Sequence, residues 1–377
     1  MLSVARTSAA RASALRACRP CSSVPLRVSH AAGVSHLRTN SCPASAVRFI
    51  ATASSSIHDS IHHCTFVSHA SAEKIPPAEP WRRHISQDPH TPTVYTFFEK
   101  ATSTWQYIVV DPESLEALVI DPVLDYEASS GTISTETADG LISFIENNDL
   151  TVTRILETHA HADHLTAAQY FKQQLDGDVP VCIGQRITQV QKTFAPIYGL
   201  EPESLKNTFD VLFKDEAEFK LGELSCRVMH LPGHTPDHVG FIVGKAVFTG
   251  DSIFNPDVGS ARADFPGGNA EELYASMQRL LALPAEYRLY VGHDYPENRD
   301  QTCFSTVADQ RERNKHVKQG SDQESFIKWR KDRDAVLGAP RLLHPSLQVN
   351  IRAGKLPPAD TTGRVYLKIP VRVDLEL

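Results

Sequence analysis

Three histidines and an aspartate fall within six positions at His159-Ala-His161-Ala-Asp163-His164. Further along, single metal-ligating residues follow short apolar runs: His234 after "CRVMHL", Asp251 after "AVFTG" and His293 after "RLYV". The first cluster follows "RILET", another such run. In α/β proteins the C-terminal ends of strands are where site residues gather on loops. Imidazole nitrogen and carboxylate oxygen suit zinc or non-haem iron, and the absence of cysteine from this set argues against a structural zinc knot. Taken singly, His159 and His161 could be satisfied core histidines, and His234 or Asp251 turn residues. Four strand ends each delivering such a residue read as one metal site assembled from four loops.

The elements that must position these loops are short. "TVYTFFEK" and "TWQYIVVD" are β-branched and aromatic runs joined by a polar turn, which predicts a hairpin beginning at Thr93. "EALVIDP" is a further strand stopped by Asp121-Pro122, and Leu141, Ile142 and Ile145 recur at helical spacing over Thr135–Asn148. Thr166–Leu175 reads as a helix after the first histidine loop. "VGFIVGKAVFTGD" reads as a hairpin turning at Gly244-Lys245. Asn269 is a good N-cap for a helix ending before Pro284, with Glu271 and Glu272 in its first turn. Alternating strands and helices with hairpins predict an α/β chain with mixed rather than all-parallel sheets. Beyond residue 300 the pattern allows one helix, Glu324–Leu337, and a Pro-punctuated tail with strand-like "RVYLKIPV".

Composition bounds the function. The 377 residues are 41% hydrophobic and 22% charged, with ample length for a core, and no apolar run is long enough for a transmembrane helix. A formal charge of −7 argues against a nucleic-acid partner. Residues 1–58 stand apart, with seven arginines, many Ser and Ala, no lysine and no acid before Asp59. That is the composition of a mitochondrial transit peptide, with a plausible processing site at Arg48-Phe49-Ile50-Ala51. Removing residues 1–50 takes away seven of 38 basic residues and none of 45 acidic ones, deepening the charge from −7 to −14. Cys18, Cys21, Cys42 and Cys64 lie in or beside this leader. Cys182, Cys226 and Cys303 remain, widely spaced, which fits a reducing matrix better than a disulfide framework. The expected organisation is a leader over 1–58, a His/Pro-rich linker with solvated histidines over 59–92, a catalytic domain over 93–300 and a C-terminal extension over 301–377.

The motif order resembles the metallo-β-lactamase superfamily, whose H-x-H-x-D-H signature is matched at His159, His161, Asp163 and His164, with later positions at His234, Asp251 and His293. The resemblance covers roughly 93–296 and implies an αββα sandwich with a metal site at one edge of the sheets. Ala162, Gly292-His293-Asp294-Tyr295 and the run from Gly259 through Arg262 and Asp264 to Phe265 resemble persulfide dioxygenases more than glyoxalase II hydrolases. Ala261 and Ala263 depart from the "GRTDF" run of the former.

That resemblance implies one Fe(II) per chain on His159, His234 and Asp251. His161, Asp163, His164 and His293 would then orient ligands and substrate, with Arg262 and Tyr295 at the substrate. The implied reaction is oxidation of glutathione persulfide by O₂ to sulfite and glutathione in mitochondrial sulfide oxidation. The alternative is a hydroxyacylglutathione hydrolase with two Zn(II): His159, His161 and His234 on one ion, Asp163, His164 and His293 on the other, and Asp251 bridging. Arg262 and Asp264 could equally form a salt bridge that shapes their loop. Nine Lys/Arg against five acids between Arg311 and Arg341 make substrate anchorage and a solvated helical face competing readings. The tail could serve as a homo-oligomer contact, a pocket lid or edge cover.

Overall fold

The computed structural model describes residues 75–175 and 177–373. The Arg-rich leader and the first four cysteines lie outside the described residues. In chain order the first half comprises β1 (Arg82–His84), β2 (Thr93–Glu99), β3 (Thr104–Val110), β4 (Glu116–Ile120), β5 (Val123–Glu127), β6 (Thr132–Ser134), α1 (Glu136–Asn147), β7 (Thr151–Leu156), β8 (Leu165–Thr166), α2 (Ala168–Gln174), β9 (Val181–Gly184), α3 (Ile187–Tyr198) and β10 (Val211–Phe213). The second half comprises β11 (Glu218–Leu221), β12 (Leu224–His230), β13 (Val239–Val243), β14 (Ala246–Phe248), α4 (Ala270–Leu281), β15 (Arg288–Tyr290), β16 (Phe304–Thr306), α5 (Val307–Arg313), α6 (Gln323–Asp334) and α7 (Leu343–Asn350).

A seven-stranded sheet runs β1-β2-β3-β4-β7-β9-β10 and a six-stranded sheet runs β11-β12-β13-β14-β15-β16. Both are mixed, because hairpins supply antiparallel pairs while β4–β7, β7–β9, β9–β10 and β14–β15 pair in parallel. Strands β3 and β13 are buried on both faces, as expected of strands covered on both sides. Trp105, Tyr107, Leu118, Phe241 and Phe248 fill the space between the sheets. Outside the first sheet, Leu141, Phe144, Phe171 and Phe194 pack from α1, α2 and α3, joined by Leu347 of α7. Outside the second, Leu273, Met277, Val307 and Phe326 pack from α4, α5 and α6. The result is the expected αββα layering.

Local signals explain the boundaries. Asn269 caps α4 by accepting from the Glu271 and Glu272 amides at 2.7 and 3.1 Å. Thr306 and Asp309 form a reciprocal capping box at the start of α5.

Three expectations need correction. The region beyond residue 300 holds three helices, α5 to α7, where one was expected, and its β16 pairs with β15 in the second sheet. Chain order begins before Thr93: β1 pairs with β2, and the Tyr290 hydroxyl lies 2.9 Å from His84 Nδ1, so His84 is a packed residue, not a solvated linker histidine. The strand-like "RVYLKIPV" joins no sheet. Cys182, Cys226 and Cys303 are buried and unpaired, and burial pushes each thiol up to about 12. Among the described residues no helix is long and apolar enough to cross a membrane.

Candidate metal centre

Each ligand loop leaves a strand or closely follows one. His159 follows β7, His234 follows β12, Asp251 follows β14 and His293 follows β15. Gly233, at φ +129°, lets the chain turn into His234 against α4; a Cβ there would sit 2.1 Å from the Leu273 amide nitrogen. Gly292 has the same steric role opposite the aspartate, since its Cβ would lie 2.4 Å from Asp251 Oδ1.

One ligand atom from each of His159, His234 and Asp251 lies within 4.8 Å of the others. Hydrogen bonds decide which nitrogen each histidine offers. The Thr158 hydroxyl gives its single proton to Asp121 Oδ2 (2.8 Å), so at 2.9 Å it accepts from His159 Nδ1. His234 Nδ1 donates to the Arg262 carbonyl at 2.8 Å. Both rings therefore present an Nε2 lone pair, and His159 Nε2 is buried with no hydrogen-bond partner, as is Asp251 Oδ1. A bound cation would satisfy both orphaned atoms, and tying the outer nitrogen of each ring to a fixed acceptor is how ligating histidines are oriented. Burial and the neighbouring histidines His161, His238 and His234 hold His159 neutral, well below the usual histidine range.

A second group, His161, Asp163 and His164, also brings three ligand atoms within 4.8 Å. Asp163 Oδ2 is 3.1 Å from His164 Nδ1 and 3.2 Å from His293 Nε2. His293 Nδ1 donates to the Ser103 carbonyl at 3.0 Å, and its Nε2 lies 3.5 Å from Asp251 Oδ1. The two-ion alternative grouped His161 with His159 and His234. His161 stands between the two groups, its ring 4.1 Å from that of His159 and 4.3 Å from that of His164, and its Nε2 is 3.0 Å from Asp121 Oδ1 and 3.5 Å from Glu157 Oε2. Burial opposes charge on His161, but the two carboxylates prevail and raise its pKa to about 10, while burial and Asp121 push Glu157 up to about 8.

Four supporting residues escaped the sequence reading. His238 is fully buried and stacks on His159 at 4.6 Å; its Nε2 accepts from the Asp251 amide at 2.9 Å while Nδ1 meets Ser252 Oγ at 3.1 Å. Asp121, at φ +49°, accepts from the Thr158 amide and hydroxyl. Asp237 accepts from the Ala160 amide at 2.8 Å. Asn350, at the end of α7, donates to the carbonyls of His161 and His164 and accepts from the Thr166 amide. Only Asp237-His238 had a local signal, two polar residues directly before an apolar strand.

The ligand trio opens into a cavity of about 420 Å³, a volume in the range of small-molecule sites. Phe254, Val258 and Ala261 give it an apolar wall, and Lys315, His316, Trp329, Arg330 and Arg333 come from the C-terminal extension. Arg330 is committed to Asp334 and the Ala261 carbonyl, whereas Lys315 and Arg333 make no ion pair among the described residues. Some of the extension's basic residues therefore line the cavity mouth while remaining exposed to solvent. Arg262 takes the loop-shaping arrangement: its guanidinium grips Asp264 through two 2.6 Å bonds and donates to the Gly338 carbonyl at 2.9 Å. It still lines the cavity, as does half-exposed Tyr295, whose ring stacks on His293 at 5.8 Å. A larger cavity of about 710 Å³ lies along α3, lined by none of the candidate ligands.

The model of the metallo-beta-lactamase superfamily matches residues 101–293, just over half the chain. The chain belongs to that superfamily. It is 46% identical over 282 residues to a protein named Glyoxylase B2 of Dictyostelium discoideum, covering 74% of this chain and 96% of that one. It is 44% identical to a beta-lactamase hydrolase-like protein of Xylella fastidiosa, with 74% of this chain matched but only 65% of that protein. It is 28% identical to the mitochondrial persulfide dioxygenase ETHE1 of Homo sapiens over 68% of this chain and 87% of that one. Among solved structures, ETHE1 from Myxococcus xanthus superposes with a TM-score of 0.55 at 29% identity, covering 69% of this chain and 99% of that one. The superfamily fold agrees with the αββα layering and with a metal centre at the strand ends.

Proposed function

We propose that the protein is a persulfide dioxygenase using one Fe(II) on His159, His234 and Asp251, with glutathione persulfide and O₂ as substrates. The observation that carries this reading is the trio itself. Two imidazoles with their outer nitrogens tied off and one carboxylate converge on an orphaned centre beside an open cavity. Two histidines and one carboxylate form the donor set of non-haem iron oxygenases, which leaves positions open for reactants. The similarity to the human and Myxococcus xanthus proteins supports the same choice. Iron in this position would supply the redox chemistry that zinc lacks.

The chain's own residues supply the rest. His238 fixes the Asp251 backbone, and Thr158 and the Arg262 carbonyl fix the two rings. Phe254, Val258 and Tyr295 exclude water from the thiol end, while Lys315 and Arg333 are placed to receive the two glutathione carboxylates. Holding both reactants beside the same centre replaces a chance encounter with a local reaction. Overall, glutathione persulfide, O₂ and water give glutathione and sulfite. The Arg-rich, acid-free leader supports import into the mitochondrial matrix as part of the same proposal.

A second reading, a two-zinc thioester hydrolase, draws on the other trio. His161 Nδ1 and His164 Nε2 are buried without partners, so a second ion would satisfy them. Against it, Asp163 already lies at hydrogen-bond distance from both His164 and His293, so a proton on each ring can do there what a second metal would.

The deciding experiment measures O₂ uptake and metal content after anaerobic loading with Fe(II). Persulfide-dependent uptake with one iron per chain is expected, falling at least about 1,000-fold in His159→Ala and Asp251→Ala. The double variant Lys315→Ala/Arg333→Ala should raise KM about 30-fold with kcat held, each lost charge-assisted contact being worth roughly 1 kcal/mol. No uptake from iron-loaded protein, together with thioester hydrolysis by a two-zinc form, would overturn the dioxygenase in favour of the second reading.

A further inference from the structure

The segment after Gly363 is an extended chain with one apolar face and nothing to cover most of it. Residues 367, 369, 371 and 373 share that face by strand periodicity. Leu367 packs against the helix-side core, and Lys368 is then clipped in place. Its amide donates to Gln348 Oε1 and its carbonyl accepts from Gln348 Nε2, both at 2.8 Å, while Nζ donates to the Tyr198 carbonyl at 2.7 Å. Beyond this clip the face runs off the body, leaving Ile369, Val371 and Val373 exposed by 67, 81 and 51%. Three aliphatic side chains in a row at that exposure mark an interaction surface.

A receptor with matching chemistry lies next to the clip. Tyr198, which holds Lys368, ends α3, and α3 forms one side of the 710 Å³ groove. Pro196, Leu200, Leu205 and Leu212 line that groove, and Leu212 is 44% exposed. Leu212 belongs to β10, the last strand of the seven-stranded sheet, whose outer backbone edge pairs with no strand among the described residues. Lys192 adds positive charge to the groove, while Lys206 in its lining is paired with Glu203 and Asp210 with Lys172. The sequence after Val373 brings Asp374 and Glu376. The arm thus offers an aliphatic strand with Arg372 within it and acids after it, and the groove an apolar channel with Lys192 beside a sheet edge that is open among the described residues.

We infer that the C-terminal arm, Ile369–Val373, docks in the α3–β10 groove of a second copy of this chain, and that the exchange is reciprocal. Each copy carries both the arm and the groove, and its own arm leaves its own groove open. A two-fold exchange covers both surfaces at once and closes on itself, so it stops at a dimer. Addition of an arm to an open sheet edge gives main-chain hydrogen bonds as well as side-chain burial.

Light scattering on the full chain over a hundredfold dilution series tests this. The expected result is twice the chain mass, with both Val371→Asp (arm) and Leu212→Arg (groove) shifting the protein to single-chain mass. Both sites are exposed, so unchanged circular dichroism and melting would separate lost docking from lost folding. An equimolar mixture of the two variants retains one intact arm–groove pair and should recover part of the dimer. A full chain that is monomeric throughout, a dimer that survives either substitution, or a mixture that stays monomeric overturns the inference. An arm folding onto its own chain, or a different protein filling the groove, gives the first of these outcomes.

Discussion

The cavity has two walls built in different ways. The metal-facing wall comes from loops beside paired strands, with each ligand held within a few residues of a sheet. The opposite wall comes from α5, α6 and the turn after α5, and hangs on side chains reaching across long sequence separations. Gln310 donates to the Phe254 carbonyl, Asn314 to the Gly259 carbonyl and Arg330 to the Ala261 carbonyl, while Asp334 accepts from the Ala263 amide. All four bind the single loop running from Asp251 to Asp264. The metal-facing wall is set by backbone topology, and the substrate-facing wall by how the extension docks. The two walls meet in that loop, which begins at Asp251 and whose Arg262 carbonyl holds His234.

Three perturbations sharpen that contrast. His238 belongs wholly to the metal wall, and removing it deprives the Asp251 amide of its acceptor and His159 of its stacking partner. His238→Ala should lower metal affinity by about 10- to 100-fold, the usual effect of losing a group that orients a ligand. Isothermal titration of metal into the stripped protein reads this directly, and unchanged affinity would mean that Asp251 is positioned by topology alone. Asn350 tests whether the walls are independent, since it sits in the extension but binds the carbonyls of His161 and His164. Asn350→Ala strands two buried carbonyls and one amide and should lower unfolding stability by about 2–3 kcal/mol in urea titration. A loss under about 0.5 kcal/mol would show that the histidine loop holds its shape without the extension.

The smallest effect belongs to the substrate wall alone. Burial, then Lys315 and Arg330, lower the pKa of His316 to about 4. The unfolded chain therefore binds more protons than the folded one between pH 6.5 and 4. Stability is full above pH 6.5 and declines as pH falls towards 4. Because the ring is only partly buried, the loss should be about 1 kcal/mol, visible as a shallower pH dependence of melting in His316→Asn.

This contrast also explains what the sequence disclosed. The ligands were legible because each follows a short apolar run, and α1, α4 and the β13–β14 hairpin because caps, periodicity and turn residues agree. Asn350 and Asp121 were not, since their roles depend on partners 184 to 189 and 37 residues away. β1 was missed because Arg82-Arg83-His84 is an edge strand with no apolar alternation to announce it. The arm failed in the opposite direction: "RVYLKIPV" over 364–371 alternates like a strand, but strand character needs a neighbour, and the described residues provide none.

The three buried cysteines have a chemical consequence for the whole molecule. A thiol with a pKa near 12 is almost entirely protonated at neutral pH, with only about one molecule in 10⁵ as thiolate, and the thiolate is the form that attacks sulfur. None of these three thiols is therefore a competent nucleophile towards disulfides, persulfides or oxidants around the protein. Sulfur compounds can pass through the cavity or bathe the surface without leaving a covalent mark on these three sites. These three thiols are bystanders to thiol exchange, and modification by thiol reagents under native conditions should leave them untouched.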